Sequence, residues 1–75
     1  MTSSRKRLVV CLTNRGYRVS LEPRKIYEAL PDADAAKHGQ IRVIDESGED
    51  YLYPEELFAE VDLPLSVRRA VLAAV

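Results

Sequence analysis

Apolar and polar residues alternate with a period of two along most of this chain, and the spacing lengthens only near its end. Residues 7–13 are rich in β-branched side chains and stop at the turn signal Asn14-Arg15-Gly16. They predict a buried first strand with Leu8, Val10 and Leu12 on one face and Val9 and Cys11 on the other. Tyr17, Val19 and Leu21 alternate with Arg18 and Ser20, the pattern of a second strand or an extended loop arm, until Pro23 removes a ladder donor. Residues 25–30 predict a further strand that ends at Pro31. Residues 32–39 predict one or two helical turns, with Asp32 as N-cap, Lys37 and His38 near the negative end of the dipole, and Gly39 just beyond it.

The stretch Ile41-Arg-Val-Ile-Asp-Glu-Ser-Gly-Glu-Asp-Tyr-Leu-Tyr-Pro54 predicts a complete β-hairpin. Its arms are 41–44 and 51–53. Asp45 at the first and Gly48 at the fourth position suit a type I turn, in which Gly48 is free to take positive φ and form a bulge. Pro54, Glu55 and Glu56 suit the first turn of a short helix that carries Leu57 and Phe58, and 59–63 alternates as a closing strand. From Pro64 the spacing becomes Val67, Ala70, Val71, Ala74, one face of a C-terminal helix over 64–74 with Arg68 and Arg69 on its wet side.

Five short strands, a long first connection and a helical turn before the last strand resemble the Src-homology-3-type small barrel. The expected fold is therefore mainly β, a small five-stranded SH3-like antiparallel barrel with a C-terminal α-helix. The segments Asn14-Arg-Gly-Tyr, Arg24-Lys-Ile-Tyr-Glu, Lys37-His-Gly and the hairpin motif through Pro54 to Phe58 resemble short bacterial proteins carrying an RVIDESGEDYLYP-type motif, and the resemblance spans about residues 8–74. The chain departs from peptide-binding barrels in lacking tryptophan and in having Leu57 where an aromatic is expected.

Composition narrows the function classes. At 75 residues, 47% apolar and 31% charged, the chain has room for one domain, 7–75, preceded by a flexible basic segment, 1–6, and none for a second lobe around a cleft. One cysteine cannot form an internal disulfide and no C-x-x-C metal spacing exists, so no metal or cofactor is expected. The apolar run 8–12 is too short for a signal sequence or a membrane span, which leaves a cytoplasmic protein without membrane association as the expectation.

Net charge is only −1, yet residues 1–28 carry seven basic against two acidic side chains and residues 29–64 two basic against ten acidic. Such a split makes either two faces of opposite potential or charges that pair across strands; pairing is the simpler expectation. Cys11, the only thiol, and His38, the only imidazole, could pair as nucleophile and base, but a mid-strand thiol and a helix-capping histidine lack an orienting third group, so no enzyme is expected. Asp45, Ser47, Glu49 and Glu56 match a calcium loop by count, but Asp50 stands where glycine is obligatory, and a solvated turn is the better reading.

The tyrosines carry the functional expectation. If Leu52 joins the core, Tyr51 and Tyr53 lie outside, and with Glu49 and Asp50 they form an acidic-aromatic surface for an unidentified protein or peptide partner; the alternative packs one or both rings under the C-terminal helix with their hydroxyls reaching solvent. Arg15, Arg18, Arg24 and Lys25, with Tyr17 and Tyr27 as stacking platforms, form the nucleic-acid or ribosome-accessory alternative, less favoured because the domain as a whole is not basic. A monomer or homodimer is expected.

Overall fold

Strand β1 (Arg7–Cys11) is apolar at its last four positions, and a strand apolar on both sides belongs inside a sheet. It pairs antiparallel with β2 (Ile26–Leu30) on one side and β5 (Phe58–Val61) on the other. β2 then pairs with β3 (Gln40–Ile44), and β3 with β4 (Asp50–Pro54), giving one antiparallel sheet in the order β4-β3-β2-β1-β5. This computed structural model describes residues 7–73; the 1–6 segment and the expected helical position Ala74 lie outside the described residues. The mainly β, five-stranded expectation holds. The sheet stays open, however, because β4 and β5 stand at its two edges with no ladder between them.

The cross-strand register sorts the side chains into two faces. Val9 lies opposite Tyr27, and Ala29 opposite Val43, which lies opposite Tyr51. All of these but Tyr51, with Cys11, Tyr53 and Phe58, form the core, closed by Leu21 and Leu57 from outside the ladders. Leu8 is also buried, on the reverse face. Leu12 does not share that face as expected: it lies beyond the last residue of β1 and is 57% exposed.

Residues 12–25 form a long loop, and 17–21 is neither the strand nor the extended arm that its alternation predicts. The Tyr17 carbonyl accepts hydrogen bonds from the Ser20 and Leu21 N–H groups, at 3.1 and 2.9 Å, which winds the segment into a turn. Tyr17 and Leu21 point inward together and Val19 is 95% exposed, because a helical turn sets residues four apart on one side and the residue midway between them on the other. The loop closes on β1 where the Arg24 N–H donates to the Cys11 carbonyl at 2.7 Å, with Arg24 held at φ +68°.

The other connections follow the local chemistry of the sequence. Helix α1 (Ala33–Lys37) is capped by Asp32, whose carboxylate accepts the Ala35 N–H at 3.0 Å, and the chain leaves through Gly39 at φ +69°. In the β3–β4 turn the Asp45 N–H donates to the Glu49 carbonyl and the Gly48 N–H to the Asp45 carbonyl, with Gly48 at φ +86°. A 3₁₀ turn (Glu55–Leu57) follows Pro54 and buries Leu57. Helix α2 (Leu65–Ala73) buries no side chain fully; Val71 and Leu72 border a groove with Leu8, Ile26 and Ile44 on the reverse face. Arg69 is on its wet side as expected, and Arg68 is half-buried.

Two backbone positions test this account with opposite signs. Nothing stands within 4 Å of where a Cβ on Gly48 would sit, so Gly48→Ala carries only the conformational penalty of a left-handed residue. It is expected to lower the unfolding free energy in urea by about 1 kcal/mol. Arg24→Gly relieves the same strain and is expected to raise it by about 0.5–1 kcal/mol, less the added entropy of the unfolded chain.

Candidate interaction surface

Two tyrosine–carboxylate pairs fasten the tip of the β3–β4 hairpin. The Tyr53 hydroxyl donates to the Asp45 carboxylate, which also accepts the Ser47 N–H at 2.8 Å and the Ser47 hydroxyl at 2.6 Å. The Tyr27 hydroxyl donates to the Glu46 carboxylate and accepts the Glu22 N–H at 2.8 Å. Lys25 reaches the same Glu46 carboxylate at 2.6 Å while its ammonium lies 5.6 Å from the centre of the Tyr27 ring. The Glu46 N–H donates to the Ser20 carbonyl at 3.0 Å. The hairpin tip is thereby stitched to the 12–25 loop.

Two shallow depressions lie on either side of Tyr17 along this junction. One is bordered by Ser20 from the loop and by Ser47, Tyr51 and Leu52 from the hairpin; the other by Arg15, Pro54 and Glu56. Tyr17 is half-buried and packs edge-on against Tyr53, with ring centres 4.9 Å apart at 81°. Tyr51 is 50% exposed and its hydroxyl donates to the Glu49 carboxylate at 3.1 Å. An aromatic platform with a carboxylate at its rim suits a cation or a basic side chain.

The expected acidic-aromatic set is only partly assembled here. Tyr51 and Glu49 come together at the surface. Tyr53 does not: it is 3% exposed, a member of the core. β4 presents its tyrosines to the face already set by wholly buried Val43, while Leu52 turns to the other side opposite Arg42 and is 40% exposed. Tyr51 escapes burial because it sits at the turn end of the strand. Asp50, also facing away, is held by Arg42 at 3.0 Å, and the same guanidinium holds Asp32 at 2.9 Å.

The basic set divides in the same way. Arg15, Arg18 and Arg24 are exposed on the 12–25 loop and form no ion pair among the described residues, whereas Lys25 is committed to Glu46. Cys11 and His38 are not a dyad. The Cys11 Sγ is buried and donates to the Thr13 carbonyl, with burial pushing its thiol up, and exposed His38 contacts the Asp34 carbonyl through Nδ1. Among the described residues no cluster of His, Cys, Asp and Glu is arranged to hold a metal. None of the helices among them is long and apolar enough to cross a membrane.

Asp45 and Glu46 as hairpin locks were not singled out by sequence reasoning. The available signal was an acid at the first turn position and a tyrosine eight residues later, a separation that a tight hairpin folds back into contact. Comparison of the chain with family models, with curated proteins and with solved structures returns no match.

The locks predict how stability depends on pH. Burial opposes ionisation of Asp45, but hydrogen bonds from Ser47 and Tyr53 outweigh it and hold the carboxyl below its ordinary value. Lys25 and Tyr27 lower that of Glu46. A depressed native carboxyl contributes stability above its unfolded value, so stability is expected to fall below about pH 4. Tyr53 is shifted the other way, to about 12, by burial and by the Asp45 hydrogen bond, and burial and Glu46 also raise Tyr27. Their contribution is complete below about pH 10 and is lost as pH rises from there. Urea midpoints across pH should show both limbs. Tyr53→Phe should cost about 2 kcal/mol at neutral pH and flatten the acid limb, since it strips a donor from a buried carboxylate.

Proposed function

We propose that this protein is a non-enzymatic interaction module of the small-barrel, SH3-like kind, whose Tyr51–Glu49 surface takes an extended basic segment of a protein partner. The carrying observation is the half-exposed Tyr51 ring tied to Glu49, beside depressions that continue past Tyr17. The strand order and the 3₁₀ turn between β4 and β5 support the SH3-like reading. In this reading Tyr51 and Glu49 make the contact and Tyr17 forms the floor; Tyr53 and Asp50 hold the strand in place. The same reading sets the protein in the cytoplasm, beside the short bacterial proteins that share its hairpin motif.

A rigid surface suits such a role. Tyr51 has few torsions to freeze on binding, and the locks beneath it hold the hairpin in one conformation before a partner arrives. Arg15, Arg18 and Arg24 favour a second reading, a nucleic-acid or ribosome accessory, because they are exposed without ion pairs among the described residues. Lys25 drops out of that set.

A labelled extended peptide of alternating arginine and proline is the probe. Its affinity is expected to fall about tenfold in Tyr51→Ala and further in Glu49→Lys, with melting curves unchanged. Affinity indifferent to both substitutions removes this surface from consideration. Labelled single-stranded RNA titrated at low and high salt decides the second reading: phosphate contacts require binding that weakens steeply with salt and is lost on charge reversal of Arg18.

A further inference from the structure

We infer that the basic segment fitted by the Tyr51–Glu49 surface is the 15–19 stretch of a second copy of this chain, so that two copies pair about a two-fold axis. The inference rests on the reading of that surface proposed above and names its partner.

The apex of the 12–25 loop presents Arg15, Arg18 and Val19 together. Both arginines are exposed without an ion pair among the described residues, and Val19 is 95% exposed. A single exposed valine is unremarkable in itself. Here it follows Arg18, which forms no ion pair among the described residues, and the adjoining Ser20 borders the same depression as Tyr51. The Glu46–Ser20 hydrogen bond and the shared depression fix the loop and the hairpin side by side.

That adjacency decides between partners. A uniformly anionic ligand that engages Arg15 and Arg18 gains nothing from Glu49, and a uniformly basic one that engages Glu49 gains nothing from the arginines, so each binds less tightly than a ligand that carries both signs. The matching surface carries both signs in reverse order. A second copy turned about a two-fold axis that lies in the plane of this face, perpendicular to the line from loop to hairpin, has that order, because the rotation sets the loop of each copy on the hairpin of the other. Val19 of one copy then meets the Tyr51 ring of its partner, and Arg18 meets Glu49, twice in each pair. Contacts of this kind give a salt-sensitive, reversible dimer rather than an obligate one.

Sedimentation velocity of the full chain over a wide concentration range, with charge-swapped variants, tests it. The wild type is expected to dimerise at low salt, with the dissociation constant rising about tenfold or more at high salt. Arg18→Glu and Glu49→Arg are each expected to be monomeric while retaining the wild-type melting curve. An equal mixture of the two is expected to restore a heterodimer, since both crossed pairs are then of opposite sign. A wild type that stays monomeric at millimolar concentration, a dimer that ignores either swap, or RNA bound at Arg18 with no dimer formed overturns the inference. If the monomer still binds the arginine–proline peptide through Tyr51, only the identity of the partner falls. Where neither peptide nor second copy responds to Glu49→Arg, the surface itself has been misassigned.

Discussion

The hydrogen bonds from Tyr53 to Asp45 and from Tyr27 to Glu46 are the constraint on which the rest of this small structure hangs. Asp45 is the buried polar residue at the edge of an otherwise apolar core, and a carboxylate there is tolerable only when its oxygens are occupied. They are, by Ser47 from within the turn and by Tyr53 from the strand. The turn cannot change shape without stranding that charge. Adjacent Glu46 extends the arrangement outward, collecting Tyr27 from β2 and Lys25 from the end of the long loop. Three parts of the chain distant in sequence are thereby held in one register at one end of the sheet.

This arrangement compensates for what a chain of 75 residues cannot supply by core volume alone. The core is one layer of side chains on one face of the sheet, and its large members are aromatic rings packed edge to face: Tyr53 against Tyr17 and Phe58, Tyr27 against Phe58. Rings in that geometry need their hydroxyls to reach a partner at the rim. The two carboxylates of the hairpin tip are those partners, so core packing and loop fastening are the same set of contacts. The reverse face is covered less completely, with α2 contributing only half-buried side chains.

The uneven distribution of charge along the chain resolves in part into pairing between its halves. Arg7 approaches Glu60 and Lys25 holds Glu46, each joining the basic first third to the acidic middle. Arg42 binds Asp32 and Asp50 within the acidic stretch itself. Among the charges outside these ion pairs are Arg15 and Arg18 on the loop and Glu49 beside Tyr51 on the hairpin. A surface with an exposed ring and with both signs of charge in reach is suited to selective association.

Local structure was legible wherever a few neighbouring residues settle it. The turn at Asp45 to Gly48, the Asp32 cap, the stop at Pro54 and the strands around them all follow from hydrogen bonds and steric limits that span a handful of positions. The 17–21 alternation fits a strand, whereas the turn that forms there buries Leu21, half-buries Tyr17 and leaves Val19 outside. Which face of β4 is buried could not be read from Tyr51-Leu52-Tyr53, since every residue there is apolar enough for either side. Pairing with β3, whose Val43 lies at the centre of the core, made that choice, and it took Tyr53 inward and left Leu52 half out. Sequence by itself thus determined the strands and turns, because their causes are local. Tertiary packing decided which rings are buried, which charges are neutralised and which remain at the surface, because burial belongs to the neighbours a side chain acquires only when distant segments meet.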